Sequence, residues 1–329
     1  AWRRLTSQRG SSRNGPGEPT LIACSGGGDS SALVIALAAA AGQAASRTLT
    51  VAHILHDLRP GADARADRDR AADLAESLGL SFVEAAVNVQ ALPGNAEGNA
   101  RRARYRALHA LARARAVPFI ATAHNSHDLA ESVIMALLRG AGPRGLAGIA
   151  PSRRLAVEGG AGCRLIRPML GVSPAEARAL CTDAGWVFAR DATNDDHTRL
   201  RNAVRAEILP RLLALRPGAE RRIASAALRC KEAADTVSRE ASVLTASARL
   251  KRGFEWPRSL LRNATPAVAG ETLRRAAAEV AGKSVLDRLP ARTIESAVRL
   301  IRSSDTDPKA LQWSGLAVRI DAHKVCLEA

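Results

Sequence analysis

Leu21-Ile22-Ala23-Cys24-Ser25-Gly26-Gly27-Gly28-Asp29-Ser30 sets three glycines between an apolar run and an acid followed by a hydroxyl. The apolar residues read as the end of a buried strand, and the Ala/Leu/Val/Ile run from Ser31 to Ala41 reads as a helix. Glycines let a backbone approach a ligand closely, and free N–H groups at a helix start attract anions. The stretch therefore predicts a phosphate loop between a first strand and a first helix. A GxxxxGK[ST] loop is excluded, because no lysine precedes Lys231, and no GxGxxG fingerprint stands here. An aspartate beside phosphates makes chemical sense with a bridging cation, which implies Mg²⁺. The plainer reading is an ordinary strand-to-helix turn, but SGGxDS closing a strand is more specific than a bare glycine run.

Working outward, strand and helix patterns alternate. Strands are expected at Thr20–Cys24, Leu49–Leu55, Phe82–Val87 and Phe119–His124, with helices at Ser30–Ala41, Ala62–Leu78, Asn99–Ala116 and His127–Leu138. Such alternation predicts an α/β fold, a parallel sheet wound with helices, whose ligands sit at the carboxyl ends of the strands. Ser25–Ser30, then His56 and Arg59, then His124 follow the first, second and fourth strands and should share one rim. A Gly/Arg-rich loop follows at Arg139–Gly145, then a short strand within Arg164–Leu170 and a serine-capped helix over Ser173–Ala184. Leu215-Arg216-Pro217-Gly218 marks the expected domain boundary. Beyond it Ile223, Ala227, Cys230, Ala234, Val237, Ala241 and Leu244 line one face of a long helix. A small terminal β-hairpin is expected around Asp321–His323. The division expected is a flexible basic arm over 1–18, a catalytic domain over 19–215 and a mainly helical domain over 216–329.

The 329 residues carry 48 basic and 32 acidic side chains, a net charge of +16, with basic excess in both halves, so a polyanion such as nucleic acid is the natural partner. Arginine-rich composition alone is the bland alternative. Five scattered cysteines without a CxxC pair speak against a zinc ribbon, an iron–sulfur site or a disulfide framework, and fit a reducing cytoplasm. The apolar run at 30–41 is too short to span a bilayer, which takes ~20 residues, so no membrane association is expected.

Three more clusters carry potential chemistry. His124, Asp128 and Glu131 stand at i, i+4 and i+7, on one helix face that starts at the rim. Carboxylates there could hold a cation or orient an amine; a solvated polar face is the alternative. Glu97, Arg101 and Arg104 also share a face, ahead of Tyr105, the one tyrosine, and alone would read as surface salt bridging. Arg201 and Arg205 lie one turn apart and, with Asn202, could grip phosphates or bases; bridging to acids is equally consistent.

Taken together, these stretches resemble the tRNA(Ile)-lysidine synthetase family of the PP-loop ATP pyrophosphatases, whose fold is HUP-like. SGGGDS looks like the family's loop. Ala123–Ser132 is similar to its AHxxDDxAET pattern, with His127 for the first acid of the pair and Ser132 for threonine, and Leu137–Ile149 continues it as LLRGxGxRGLAGI. Glu97–Tyr105 resembles E-x-x-A-R-x-x-R-Y. Asp191–Asp195, Leu200–Arg205 and Leu209-Pro210 resemble D-P-[ST]-N, R-N-x-[IV]-R and L-P, with Ala192 for proline. His53–Arg59 matches H-V-[ND]-H-G-L-R in part, Leu55 and Asp57 being changed.

The resemblance implies ATP held by Ser25, Gly26, Gly27, Gly28, Asp29 and Ser30, and Mg²⁺ near Asp29 and Asp128. It implies that Asp128 and Glu131 orient metal or amine, and that His124 serves as general base or adenylate contact. Glu97, Arg101, Arg104, Tyr105, Arg139, Arg144, Arg201, Asn202 and Arg205 would face tRNA. The implied reaction joins free L-lysine to the wobble cytidine of an isoleucine tRNA with a CAU anticodon, through an adenylated tRNA, releasing AMP and pyrophosphate. A PP-loop tRNA thiolase and an RNA-binding module that retains an ATP fold are the alternatives. Oligomeric state stays open, a homodimer included.

Overall fold

A computed structural model describes residues 1–6, 17–57, 61–89, 96–155, 162–188, 200–250, 253–282, 285 and 289–329, with backbone alone at 56, 96 and 97. It divides into two compact units, Ala1–Leu228 and Arg229–Ala329.

In the first unit α1 (Trp2–Thr6) precedes β1 (Thr20–Ala23), α2 (Gly28–Ala41), α3 (Ala45–Thr48), β2 (Leu49–His56), α4 (Gly61–Ser77) and β3 (Ser81–Val87). Then come α5 (Ala96–Ala114), β4 (Phe119–Ala121), α6 (Ser126–Leu138), α7 (Pro143–Leu146), β5 (Ser152–Leu155), β6 (Cys163–Ile166) and α8 (Pro174–Asp183). Next are α9 (Leu200–Ala203), a π-helical turn at Val204–Ile208, α10 (Leu209–Leu215) and α11 (Ala219–Ala246), in which the division into units falls. The six strands run in the order β3-β2-β1-β4-β6-β5, parallel except for β5. The sequence pattern missed β5, whose Ser152-Arg153-Arg154-Leu155 buries one apolar side chain and so lacks the apolar run of its neighbours.

Alternation along the strands separates two apolar layers. Ile22, Val51, Phe119, Ala121 and Ile166 face α2, α4 and α8, while Leu21, Ala52, Ile120 and Leu165 face α5 through Tyr105, Leu108 and Ala112. α2 is buried along most of its length, consistent with its nearly uniform apolar sequence. α6 packs on other partners: Ala130 and Ile134 meet Val204 and Leu209, and Leu129 and Val133 meet Ala227.

The opening residues differ from a flexible arm. Trp2 is buried in the α2 layer and its indole N–H donates to Thr20 Oγ1 at 3.0 Å, so apolar burial plus one buried hydrogen bond anchors α1; residues 7–16 lie outside the described residues.

In the second unit β7 (Arg249–Leu250), β8 (Gly253–Pro257), α12 (Arg258–Asn263), α13 (Pro266–Ala281), α14 (Ala291–Arg302), β9 (Lys309–Trp313), β10 (Leu316–Ile320) and β11 (Lys324–Glu328) follow α11. The expected hairpin exists as β10–β11 and lies inside a five-stranded antiparallel sheet, β7-β8-β11-β10-β9. Arg258, 5% exposed, donates to the carbonyls of Leu300, Ile301, Ser303 and Asp321, tying the end of α14 to the β10–β11 turn. Among the described residues no helix is long and apolar enough to cross a membrane.

Candidate functional site

The loop after β1 is shaped by its own hydroxyls and glycines. Ser30 Oγ accepts from the Ser25 N–H at 3.1 Å, donates to the Gly27 carbonyl at 2.8 Å and lies 3.1 Å from Ser25 Oγ. Buried Ser30 thus holds the loop closed. Gly26 has φ +83, and a Cβ there would lie 2.6 Å from the Asp67 carbonyl of α4, so side chain and backbone both demand glycine. At Gly27 a Cβ would meet only Ser25 Oγ, at 3.6 Å; here the missing side chain leaves space. Gly27 is also the N-cap of α2 and offers no side-chain cap, so the first-turn N–H groups are left for another acceptor.

Asn125 connects this loop to the fourth strand's end. It caps α6, accepting from the N–H groups of His127 and Asp128, while the Asp128 carboxylate accepts from the Asn125 N–H at 3.0 Å. Its side-chain amide reaches across to donate to Asp29 Oδ2 at 2.8 Å. Asp29 and Asp128 therefore meet at one residue, Asn125, which offers its side-chain amide to the first and its backbone N–H to the second, between β1 and β4, the place where the strand order reverses direction and α/β sheets bind ligands. Burial, and then the Asp128 charge, push the Asp29 carboxyl above its ordinary value, with the Asn125 amide and Arg178 and Arg205 acting the other way.

The acids of α6 are not solvated. Glu131 is fully buried; it accepts from Arg201 Nε at 2.8 Å and Arg205 Nε at 2.6 Å. Asp128 accepts from the same two side chains at 2.9 and 3.3 Å. The two arginines expected to face tRNA thus grip the two acids expected to orient metal or amine. Spacing alone could not pair them, since about 70 residues separate the segments.

His124 lies on the opposite side of Asn125 in sequence, with Nδ1 3.0 Å from Thr122 Oγ1. Burial, together with Arg167, Arg101, Arg104 and Arg201, pushes its basicity down to about 3, so the ring stands neutral at physiological pH. A base that weak takes up protons poorly near neutrality; the imidazole offers a hydrogen bond instead. Arg101, Arg104 and Arg153 place their guanidinium carbons 5.1, 5.7 and 5.2 Å from the Tyr105 ring centroid.

Arg139 and Arg144 are exposed at the end of α6 and on α7. Asn202 lies in α9 between the acid-binding arginines. The side chains of Glu97 and His56, and residues Arg59 and Asp191–Asp195, lie outside the described residues. Asp57, which departs from the resembled pattern, accepts from the Val89 N–H at 2.8 Å and so serves the loops after β2 and β3. Sequence reasoning gave no role to Asn125, Arg153, Arg167 or Arg178. Asn125-x-x-Asp128 was visible as a capping box; the arginines carried no local signal.

Comparison with known proteins agrees with this architecture. The PP-loop domain model matches residues 7–212, and the chain belongs to that family. Among curated proteins it is 44% identical over 200 residues to the tRNA(Ile)-lysidine synthase of Symbiobacterium thermophilum, covering 60% of this chain and 40% of that one. The tRNA(Ile)-lysidine synthase of Salinispora tropica is 43% identical over 199 residues, 59% of this chain and 56% of its own. That of Pseudomonas aeruginosa is 37% identical over 257 residues, 78% of this chain and 55% of its own. The chain spans about half the length of these relatives. Among solved structures, the U34-tRNA thiolase NcsA from Methanococcus maripaludis with its [4Fe-4S] cluster superposes with a TM-score of 0.56 at 17% identity, covering 70% of this chain and 77% of that one; this is a likeness of fold.

Proposed function

We propose that this chain adenylates the wobble cytidine of an isoleucine tRNA bearing a CAU anticodon and joins free L-lysine to it, acting in the cytoplasm. In the first step the 2-carbonyl oxygen of the cytidine attacks the α-phosphorus of ATP, and the bond to the bridging oxygen breaks to release pyrophosphate. In the second, the ε-amine of lysine attacks C2; the C2–O bond breaks, AMP leaves with that oxygen, and the amine's proton is lost to give lysidine.

The observation that carries this reading is the Asn125 bridge, which brings the glycine loop's Asp29 to the acids of α6 at the sheet's switch point. The open first turn of α2 and the space at Gly27 suit a triphosphate. Mg²⁺ fits the acids present: Asp29 is held close to a second carboxylate with a raised proton affinity, which a divalent ion would relieve. Among the described residues no three His, Cys, Asp or Glu side chains gather as a metal site, so phosphates and water would complete the shell, as Mg²⁺ prefers. Asp29 would hold the ion, with Asp128 behind it; the ion would supply charge neutralisation on the departing pyrophosphate. Arg201 and Arg205 fix Asp128 and Glu131, and neutral His124 donates or accepts a hydrogen bond at the adenylate.

Incubating the protein with ATP, labelled lysine and either isoleucine or methionine tRNA tests this. Lysine should enter only the isoleucine tRNA, with AMP released in step. Asp29→Ala should lower AMP formation by at least ~100-fold while RNA binding holds. Incorporation of labelled sulfur in place of lysine, or unchanged turnover in Asp29→Ala, would refute the proposal.

A further inference from the structure

Each glycine of the nucleotide loop lacks a side chain for its own reason. Gly26 is held by its positive φ and by the Asp67 carbonyl of α4, and Gly27 opens onto space. Gly28 is the first residue of α2 and its φ is not positive, so its backbone would accept a side chain. An aromatic ring excludes one. A Cβ on Gly28 would stand 2.9 Å from Cδ2 and 3.0 Å from Cε2 of Phe188, with Cγ at 3.4 Å. Carbon atoms settle at about 3.5–4.0 Å, so the edge of the ring occupies the place of that side chain.

The ring reaches Gly28 by a short route from α8. Gly185, with φ +67, follows the end of that helix, and the Trp186 N–H closes the turn on the Cys181 carbonyl at 2.8 Å. The chain then alternates: Trp186 and Phe188 pack on the α2 layer, and Val187 between them is 84% exposed. α8 also touches Gly28 directly. The Cys181 thiol, fully buried, donates to the Gly28 carbonyl at 3.5 Å. Ring and thiol thus meet at the residue that precedes Asp29.

Glycine loops are loose unless contacts from outside fix them, and a misplacement of about 1 Å near a reacting group can cost ~100-fold in rate. The geometry points to Phe188 as a positioning residue for ATP: seated on Gly28, its ring fixes the first turn of α2 and, with it, Asp29. The loop is then braced at Gly26 and Gly28 and open at Gly27, where phosphate oxygens need room. This deepens the reading above and rests on its placing of ATP on the loop. Phe188 lies outside every motif read from the sequence. The Asn125 amide holds the Asp29 carboxylate from the β4 side, and Phe188 holds the adjoining backbone from the α8 side.

Calorimetric titration of the full chain with ATP and Mg²⁺ tests the brace through paired substitutions. Gly28→Ala puts a methyl group against the ring and should weaken ATP binding about tenfold. Phe188→Leu keeps an apolar side chain on the core but removes the ring edge, and should weaken binding about threefold by loosening the loop. In the double variant the methyl group enters the room the ring has left, so ATP should bind more tightly than to Gly28→Ala alone. Phe188→Tyr, which retains the ring, should bind as the wild type does. Should Gly28→Ala fail to fold, the double variant should fold, and its failure to do so would count against the brace. A packing role unrelated to the nucleotide would make the two losses multiply. Multiplied losses, or undiminished binding in either single variant, would each overturn the brace. The titration needs neither RNA nor turnover. Failure to attach lysine would thus sink the proposed reaction alone, and multiplied losses in a chain that attaches lysine would sink the brace alone.

Discussion

Arginines of two sets bear on His124, and the sets differ in what they hold. Arg201 and Arg205 saturate Asp128 and Glu131, so their charges are spent within the fold. Among the described residues, Arg101, Arg104 and Arg153 meet the Tyr105 ring and Arg167 a backbone carbonyl, and no acid is paired with them. The first set resembles Arg258 of the second unit, whose donors are taken by carbonyl oxygens and whose role is architectural. Charges matched from within hold the acids of α6 in place. Identical residue types thus acquire opposite meanings from their partners.

The largest effect that would break this contrast is expected at Glu131. Replacing this fully buried acid by alanine leaves two guanidinium groups facing one remaining carboxylate. Because the arginines are about a third exposed, solvent shares the loss, and a destabilisation of roughly 2–3 kcal/mol is expected in urea unfolding. Arg153→Ala, from the unmatched set, should leave stability within about 0.5 kcal/mol or raise it. Equal losses in both variants would erase the distinction.

Charges from both sets act on His124, so its titration reports their combined field. The unfolded histidine takes a proton near its ordinary 6.5, whereas the folded one resists until about 3. Its contribution to stability is therefore complete above 6.5 and falls by about 1.4 kcal/mol per pH unit as pH drops toward 3. At pH 5 that amounts to about 2 kcal/mol, which His124→Gln should abolish from the pH profile. Parallel profiles for wild type and variant would mean that the arginines do not bear on this ring.

The sheet was legible in the sequence because its strands are apolar runs punctuated by glycine and its helices keep their periodicity. The rim followed from topology: Ser25–Ser30 and His124 had to lie at carboxyl ends of parallel strands. The pairing of Arg201 and Arg205 with Asp128 and Glu131 was not legible, because helical spacing describes neighbours on one helix and is silent about a helix 70 residues away. β5 was hidden for another reason. An edge strand buries one face sparingly, and Arg153-Arg154 at its centre reads as loop. The second unit's sheet was similarly underestimated, since β8 and β9 carry tryptophans amid polar residues and only the hairpin alternates cleanly.

Two adjacent glycines transfer the contrast to the nucleotide loop. Gly26 is matched from within: a methyl group there meets the Asp67 carbonyl at 2.6 Å with φ at +83, and Gly26→Ala should cost about 1–2 kcal/mol of stability. Gly27 faces open space, so Gly27→Ala should fold with a change within about 0.5 kcal/mol. It should nonetheless weaken ATP binding by about tenfold, because the methyl group occupies room kept for the ligand. Calorimetric titration with ATP separates the two, and a Gly27→Ala protein with undiminished affinity would place the phosphates elsewhere.

Asn125 serves both sides of the contrast, and a modest stability change is expected there. Its carbonyl oxygen caps α6, and its amide N–H reaches Asp29. Asn125→Ala removes both functions and should cost about 1 kcal/mol. Asn125→Ser keeps a capping oxygen, so its stability should fall by only a few tenths of a kcal/mol. The serine cannot span to Asp29, however, and that carboxylate would lose the donor that steadies its orientation. AMP formation should therefore fall in both variants to a similar extent, on the order of tenfold, while stability falls mainly in one. If activity instead tracks stability, with Asn125→Ser near wild type, then the amide bridge is incidental to catalysis and Asp29 is held in place by the glycine loop alone.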